Sequence, residues 1–304
     1  MHTLVRTTWL RRLAVAATAL LAAAAAQAQG KADAELDAAF AAAKQTAVQG
    51  PAEVKLADQA ALKLPEGFVY VPPAEGKRIM TAMGNRAGAG LLGLVFPSDD
   101  PDANWFVVMG YVDSGFIRDD DAKDWNANEL LQNLKAGTEE ANKDRRARGI
   151  PEMEVLGWVE APRYDAATHR LVWSAATKDK SEAGAAPRGV NYNTYALGRQ
   201  GYISLNLVTD YASIEKEKPI AQRLLGALEF NAGRRYADFD SSTDRVAEYG
   251  LAALVGGFAA KKLGLFATLG VLLAKFWKII AIAGVGLVAG LAKLLGRKKA
   301  EGGA

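Results

Sequence analysis

The run Ile279–Leu295 constrains this chain most, because apart from Lys293 it carries no charge. With Phe276-Trp277-Lys278 in front of it, the stretch 276–295 reaches the ~20 residues that cross a bilayer as a helix. Trp277 suits an interfacial anchor, Lys278 and Lys293 have stems long enough to reach headgroups, and Arg297-Lys298-Lys299 follows at the exit. This pattern predicts a transmembrane helix with a basic cytoplasmic tail at 296–304. A buried helical hairpin of a soluble fold is the alternative, and the basic flanks argue against it.

The preceding stretch, 249–274, is apolar and Gly-rich over Leu251–Ala260, broken by Lys261-Lys262, and apolar again over Leu263–Ala274. Two lysines at the bilayer centre are costly, so an interfacial segment is expected, with a helix packed against the span as the alternative.

The N-terminus places Arg6, Arg11 and Arg12 ahead of an uncharged run Leu13–Ala26, then Ala26-Gln27-Ala28. That is a signal peptide over 1–28 with cleavage after Ala28. An uncleaved anchor is disfavoured because the run is shorter than the ~20 residues of a span. The Arg11-Arg12 pair lacks the surroundings of a twin-arginine signal. The two ends together predict a domain at 29–248 exported to the periplasm and held at a bacterial inner membrane, with the lipid bilayer as a partner.

The chain has no cysteine, which excludes lipoprotein acylation, disulfides and thiolate metal sites. Its net charge of +3 hides an asymmetry. Residues 251–304 carry eight Lys and Arg against one acid, whereas residues 29–250 carry 26 bases against 33 acids. The basic residues belong to the membrane flanks, and the acidic middle domain excludes a nucleic-acid backbone as partner.

Along the middle domain, Asp33–Val48 reads as an Ala-rich helix ended by Gly50-Pro51. Short strands are expected at Val54–Leu56, Ala61–Leu64 and Phe68–Val71, a helix at Ala74–Met83, and strands at Leu91–Phe96 and Trp105–Val112. The last is apolar on both alternating faces, which predicts a central, doubly covered strand. Asn126–Arg148 is a helix capped by Asn126, with Leu130, Leu131, Leu134 and Ala141 as its buried stripe and Lys143, Arg145, Arg146 and Arg148 complementing its C-terminal dipole. Four strands follow, Glu154–Arg163, Arg170–Thr177, Val190–Leu197 and Tyr202–Thr209, in two hairpins joined at 165–168 and 198–201. In the fourth, Ile203, Leu205 and Leu207 alternate with Ser204, Asn206 and Val208, the pattern of a half-buried strand. A helix over Pro219–Phe230 closes the domain. The fold class is therefore α+β, a mainly antiparallel sheet with covering helices, followed by C-terminal membrane helices. Its element order is similar to that of the PsbP/Mog-like fold.

Candidate chemistry is sparse. His169, the one histidine of the middle domain, falls in a hairpin turn, where solvated surface is the expected role. Two acidic groups, Asp99, Asp100 and Asp102, then Asp113, Asp119, Asp120, Asp121 and Asp124, lack the spacing of a calcium loop and read as turn and helix-start acids. Gly84-Asn85-Arg86-Ala87-Gly88-Ala89-Gly90 precedes a strand, whereas a phosphate loop follows one and carries a Lys-Ser/Thr pair. Ser174, Ser204, Trp105, Trp158 and Trp173 have core or strand roles. These residues form no catalytic, cofactor or metal constellation, so none of these sites is expected.

Several stretches together are similar to one family: Trp105-Phe106-Val107-Val108, Asp113-Ser114-Gly115, Leu156-Gly157-Trp158, Tyr164-Asp165 with Thr168-His169, Val190-Asn191-Tyr192-Asn193-Thr194, Phe230-Asn231, Arg235-Tyr236, Val246-Ala247-Glu248-Tyr249-Gly250 and Leu273-Ala274-Lys275-Phe276-Trp277-Lys278. On these residues the chain resembles the bacterial membrane-anchored proteins grouped as domain of unknown function 2167. The resemblance implies a signal peptide, an exported domain and a C-terminal anchor, and carries no catalytic residues.

The expected role is non-enzymatic: an interaction or scaffold module of the cell envelope with a protein partner. The alternatives are a ligand-binding or hydrolytic domain built on Asn191-Tyr192-Asn193, and membrane remodelling through 249–274. A deep pocket lined by those polar residues would mark the former, an exposed apolar patch a partner surface.

Overall fold

The computed structural model describes residues 33–85, 87–98, 100, 103–147, 149–181 and 189–256. The expectations for 1–28, for the segment beyond Gly256, for the span 276–295 and for the tail 296–304 lie outside these residues. Among the described residues no helix is long and apolar enough to cross a membrane.

Helix α1 (33–46) buries Leu36, Ala39, Phe40 and Ala43 along one stripe, the repeat of an amphipathic helix. Strands β1 (Val48–Gln49), β2 (Ala52–Leu56), β3 (Ala60–Leu64) and β4 (Phe68–Val71) lead to α2 (Pro73–Ala82), then β5 (Leu91–Pro97) and β6 (Phe106–Val112). The long helix α3 (Ala127–Ala147) precedes β7 (Met153–Asp165), β8 (Arg170–Asp179), β9 (Gly189–Leu197) and β10 (Tyr202–Asp210). Helix α4 (Ile214–Gly226), β11 (Leu228–Phe230) and the one-turn helix α5 (Ala253–Gly256) complete the described chain.

Eight strands pair in the order β1-β4-β5-β6-β10-β9-β8-β7, every pair antiparallel, so the α+β class and both expected hairpins are present. One sheet was expected, but β2 and β3 pair with β11 in a separate three-stranded sheet. That small sheet and α4 cover one face of the large sheet. Val54, Leu62, Leu64, Leu224 and Leu228 pack there with Val107, Met109, Ile203, Leu205 and Leu207. Full burial of one such side chain contributes about 1.5–3 kcal/mol, which makes this layer the main source of stability.

The opposite face carries two separate helical layers. Helices α1 and α2 pack on Leu94, Phe96, Phe106 and Val208. Helix α3 and α5 pack on Leu171, Trp173, Ala175, Tyr195 and Tyr202. Strand β6 is covered on both faces, as its sequence predicts.

Three expectations need correction. The closing helix does not run from Pro219 to Phe230. It starts at Ile214 and ends at Gly226, and Leu228 pairs with Leu62 in β11 instead of continuing the helical stripe. Strand β10 is not half-buried: Asn206 and Val208 are as enclosed as Leu205, because the second helical layer covers the side taken for solvent. In α3 the C-terminal stripe is polar. Asn142 bonds both the N–H and the C=O of Met153 at 2.9 and 2.8 Å, and Arg145 Nε donates to Pro151 O at 2.6 Å. These bonds fix the return of the chain into β7.

The free edge of the sheet is β7. Its pairing shifts register near Gly157, Glu160 and Arg163, and it contains Pro162. Bulges, charges and a proline are the usual devices that keep an edge from pairing with another chain.

Candidate functional site

The hairpin turn between β7 and β8 is set by Asp165, whose carboxylate accepts from Ala167 N at 2.9 Å and Thr168 Oγ1 at 2.7 Å. His169 follows with φ of 52°, a left-handed backbone that turns its ring inward across the sheet end. There Tyr164 Oη donates to Asp119 Oδ2 at 2.6 Å and lies 3.1 Å from His169 Nδ1. The phenol has one proton and gives it to Asp119, so toward Tyr164 the imidazole can only donate, through Nδ1–H. The ring of His169 stacks on Tyr236 at 4.0 Å, and Tyr236 Oη donates to Ile117 O at 2.9 Å. Phe116 continues the stack, 4.4 Å from Tyr236 and 3.8 Å from Phe239.

His169 is thus half-buried between Tyr164 and Tyr236, not a fully solvated turn residue as its position suggested. Burial, reinforced by Asp119, pushes the phenols of Tyr164 and Tyr236 well above the ordinary tyrosine value, so both remain donors. A protonated phenol is a poor nucleophile. Among the described residues the arrangement orients an imidazole without supplying the partner that acyl or phosphoryl transfer needs.

Next to Asp119, a groove of ≈ 330 Å³ is lined by Arg118, Asp120, Asp121 and the chain from Val246 to Gly250. This is where the C-terminal stretch joins the domain. Val246 pairs with Phe116 in a parallel bridge, with Phe116 N donating to Arg245 O and Ala247 N to Phe116 O, both at 2.8 Å. Arg199 grips Asp244 with two bonds, at 2.7 and 3.0 Å, and Arg245 reaches Asp113 at 2.8 Å. The Asp121 carboxylate then accepts from Leu251 N at 3.1 Å and Ala252 N at 2.9 Å. A side chain on Gly250 would place its Cβ 2.5 Å from Asp121 Oδ2, so this contact requires glycine there. Leu251, Leu254 and Val255 are buried beneath α3. Asp121 does lie in the first turn of a short 3₁₀ helix, Asp120–Asp124, as expected of a helix-start acid, and in addition it binds backbone 130 residues further along the chain.

The strand Asn191-Tyr192-Asn193 does not form one site. Alternation sends Tyr192 to the α4 face, where its hydroxyl donates to Glu160 at 2.9 Å and accepts from Gln222 at 3.0 Å. Burial pushes its phenol up to about 12. Asn191 and Asn193 point to the other face, beside Asn206, which pairs with Asn193 across β9 and β10.

The remaining candidates separate in space. Asp100 approaches Lys216 at 3.8 Å, and Asp99 and Asp102 lie outside the described residues. Gly84–Gly90 runs from α2 into β5, the reverse of a phosphate loop. Ser174 Oγ donates to Asn191 O at 3.0 Å, Ser204 Oγ to Gly110 O at 3.4 Å, and Trp158 Nε1 to Ala127 O at 3.0 Å. Trp105 packs on Phe68. Among the described residues no three His, Cys, Asp or Glu side chains converge as metal ligands.

Sequence reasoning missed Glu217, buried in the first turn of α4 and hydrogen-bonded to Thr209. Burial holds its carboxyl above the usual range; the Thr209 bond opposes the shift and Asp210 reinforces it. Ionisation therefore weakens the folded state: the penalty is absent below the unfolded-state value and grows as pH rises through the higher folded value. Glu217→Gln is expected to raise stability by about 1 kcal/mol at pH 8 and to change it little at pH 4. Urea titrations at both pH values measure this.

An antiparallel sheet with a small sheet and helix on one face, helices on the other and a docked C-terminal root defines an α+β protein, with no catalytic constellation assembled among the described residues. The chain belongs to the family described as Protein of unknown function (DUF2167), whose model matches residues 48–286. No curated protein matches the chain. Among solved structures it is similar to cyanobacterial PsbP (CyanoP) from Synechocystis sp. PCC 6803, at 10% identity over 61% of this chain and 91% of that one, TM-score 0.36. It is also similar to the Ran-binding protein Mog1p of Saccharomyces cerevisiae, at 9% identity over 62% of this chain and 98% of that one, TM-score 0.34.

Proposed function

We propose that this protein is a tethered module of the bacterial envelope: exported by residues 1–28, held in the inner membrane by 276–295, and presenting its acidic domain in the periplasm to a protein partner. The observation that carries the reading is the docked root. Asp121 fixes the backbone at Leu251 and Ala252, and α5 is buried beneath α3, so the hydrophobic stretch leaves the domain from a defined place. A tail on a loose linker would leave the domain free to tumble at the bilayer; a built-in root sets the face it presents. Among the described residues Tyr211 is the exposed large hydrophobic side chain, so the apolar patch that would mark a partner surface is absent there, and on this reading recognition falls to polar and charged groups.

Alkaline phosphatase, active after export, tests the topology. Fusion after Glu248 is expected to be active and fusion after Ala304 inactive, and alkaline carbonate is expected to release a chain ending at Gly256 but not the full chain. An active fusion at Ala304, or full-length protein in the carbonate supernatant, overturns the reading.

A further inference from the structure

The first turn of α4 is seated differently from the rest of the helix. Beyond it, Ala221, Leu224 and Leu225 are buried in the main core, whereas within it the buried side chains are Ile214, 3% exposed, and Glu217, 5% exposed. Ser213 supplies no side-chain cap, and the N–H groups of Lys216 and Glu217 both donate to Ser213 O, at 3.0 and 3.1 Å. Pro219 follows directly on this turn. It has no N–H, so the rung that would tie it to Glu215 O is missing, and its ring disfavours close approach of that carbonyl. The turn is therefore joined to the body of α4 at a weak point of the ladder, and a proline inside a helix is where the helix bends.

One apolar side chain and one carboxyl hold this turn on the sheet. Thr209 Oγ1 donates to Glu217 Oε2, and among the described residues no base forms an ion pair with that carboxyl. The charges facing it come from its own helix and from the elements packed against it. Asp210 stands at the end of β10 and accepts from Asn104 Nδ2, Asp100 precedes β6, and Lys216, 82% exposed, lies 3.8 Å from Asp100. Two carboxylates against one solvated ammonium leave the surroundings of Glu217 negative. The start of a helix favours an anion, as does the Thr209 hydroxyl, but both are small beside the hydration a buried carboxylate forgoes. Burial accordingly is the largest influence and holds the carboxyl above its usual range. An ionised Glu217 regains water only if the turn leaves the sheet. The seated turn thus binds a proton more tightly than the open one, so the seated form prevails below the ordinary glutamate value and gives way as pH rises through the higher seated value.

We propose that the first turn of α4, residues 214–218, is a proton-gated latch: it lies on the sheet while Glu217 carries its proton and swings outward about Pro219 once Glu217 is ionised. Opening draws Ile214 out of the cluster it shares with Leu205 and Leu207, while Leu224 and Leu225 keep the body of the helix in place. An apolar edge of the domain and the polar start of α4 are then exposed together, and only on the alkaline side. The inference concerns the domain itself and does not depend on export or on the span.

Hydrogen exchange in the full-length protein reads the opening residue by residue. After correction for intrinsic rates, protection of the Lys216 and Glu217 N–H groups is expected to fall about tenfold from pH 5.5 to pH 8.5, while Leu224 and Leu225 change little. Glu217→Gln keeps an acceptor for Thr209 without a charge and should hold the seated level of protection at both pH values. Pro219→Ala restores the missing rung and should reduce the loss at pH 8.5 by about threefold. Protection independent of pH, a fall that persists in Glu217→Gln, or an opening indifferent to Pro219→Ala overturns the latch. So does a fall shared equally by Leu224, Leu225 and the strands β9 and β10, which would mean that Glu217 acts on global stability alone.

Discussion

Gly93→Ala is expected to lower the melting temperature by roughly 10 °C, a loss of about 3–5 kcal/mol for a domain of this size. Gly93 lies at the bulge of β5, where the register against β6 slips between Leu91 and Gly93. Its φ of 138° is a conformation that side chains with a Cβ rarely adopt, and such strain costs about 1–3 kcal/mol. The new Cβ would also stand 2.5 Å from the ring of Tyr70 and 2.6 Å from Val71 O. The ring cannot swing aside, because Tyr70 is buried in the main core and its hydroxyl donates to Leu92 O at 2.6 Å. That enclosure pushes the phenol up to about 12. Tyr70→Leu removes the ring, so in that background the same glycine change should cost at least about 1 kcal/mol less, a coupling that a double-mutant cycle reads. Equal penalties in both backgrounds would show that the backbone conformation alone accounts for the loss.

The bulge illustrates how far the sequence carries. The positions of α1, α2 and α3 and of most strands follow from local periodicity, and β6 announces its double burial through apolar residues at every step of Phe106, Val107 and Val108. The second sheet was hidden because Leu228 satisfies a helical stripe and a strand pairing equally, and only the partner Leu62 decides between them. Polar alternation misled in β10: Asn206 looks like a solvent-facing position, yet it is buried and Val208 beside it lies in the α1/α2 layer, and nothing local to the strand records that layer. His169 failed for a related reason. A histidine in a turn reads as exposed unless the chain returns across it, and here Asp119 and Tyr236 arrive from 50 residues before it and 67 after it. What was legible is the class of fold. What was not is every contact of long sequence separation, and the candidate site consists of such contacts.

Asp121→Ala is expected to destabilise the domain by about 2–3 kcal/mol, the combined effect of losing a carboxylate that caps two backbone N–H groups and leaving those donors under α3 without an acceptor. The melting temperature should fall by about 4–8 °C. The more informative readout is local. Hydrogen exchange at Leu251 and Ala252 should accelerate by far more than in β9 and β10, because the carboxylate holds the root while the sheet keeps its own ladder. Asp121→Asn retains one acceptor oxygen and should lose less. Gly250→Ala offers an independent approach, since its Cβ would press on Asp121 Oδ2 and displace the carboxylate without removing it. Agreement between Asp121→Ala and Gly250→Ala in the exchange pattern identifies the clamp as the cause. Uniform acceleration across the whole domain would instead mean that the root is an ordinary part of the core, and the defined exit of the C-terminal stretch would lose its physical basis.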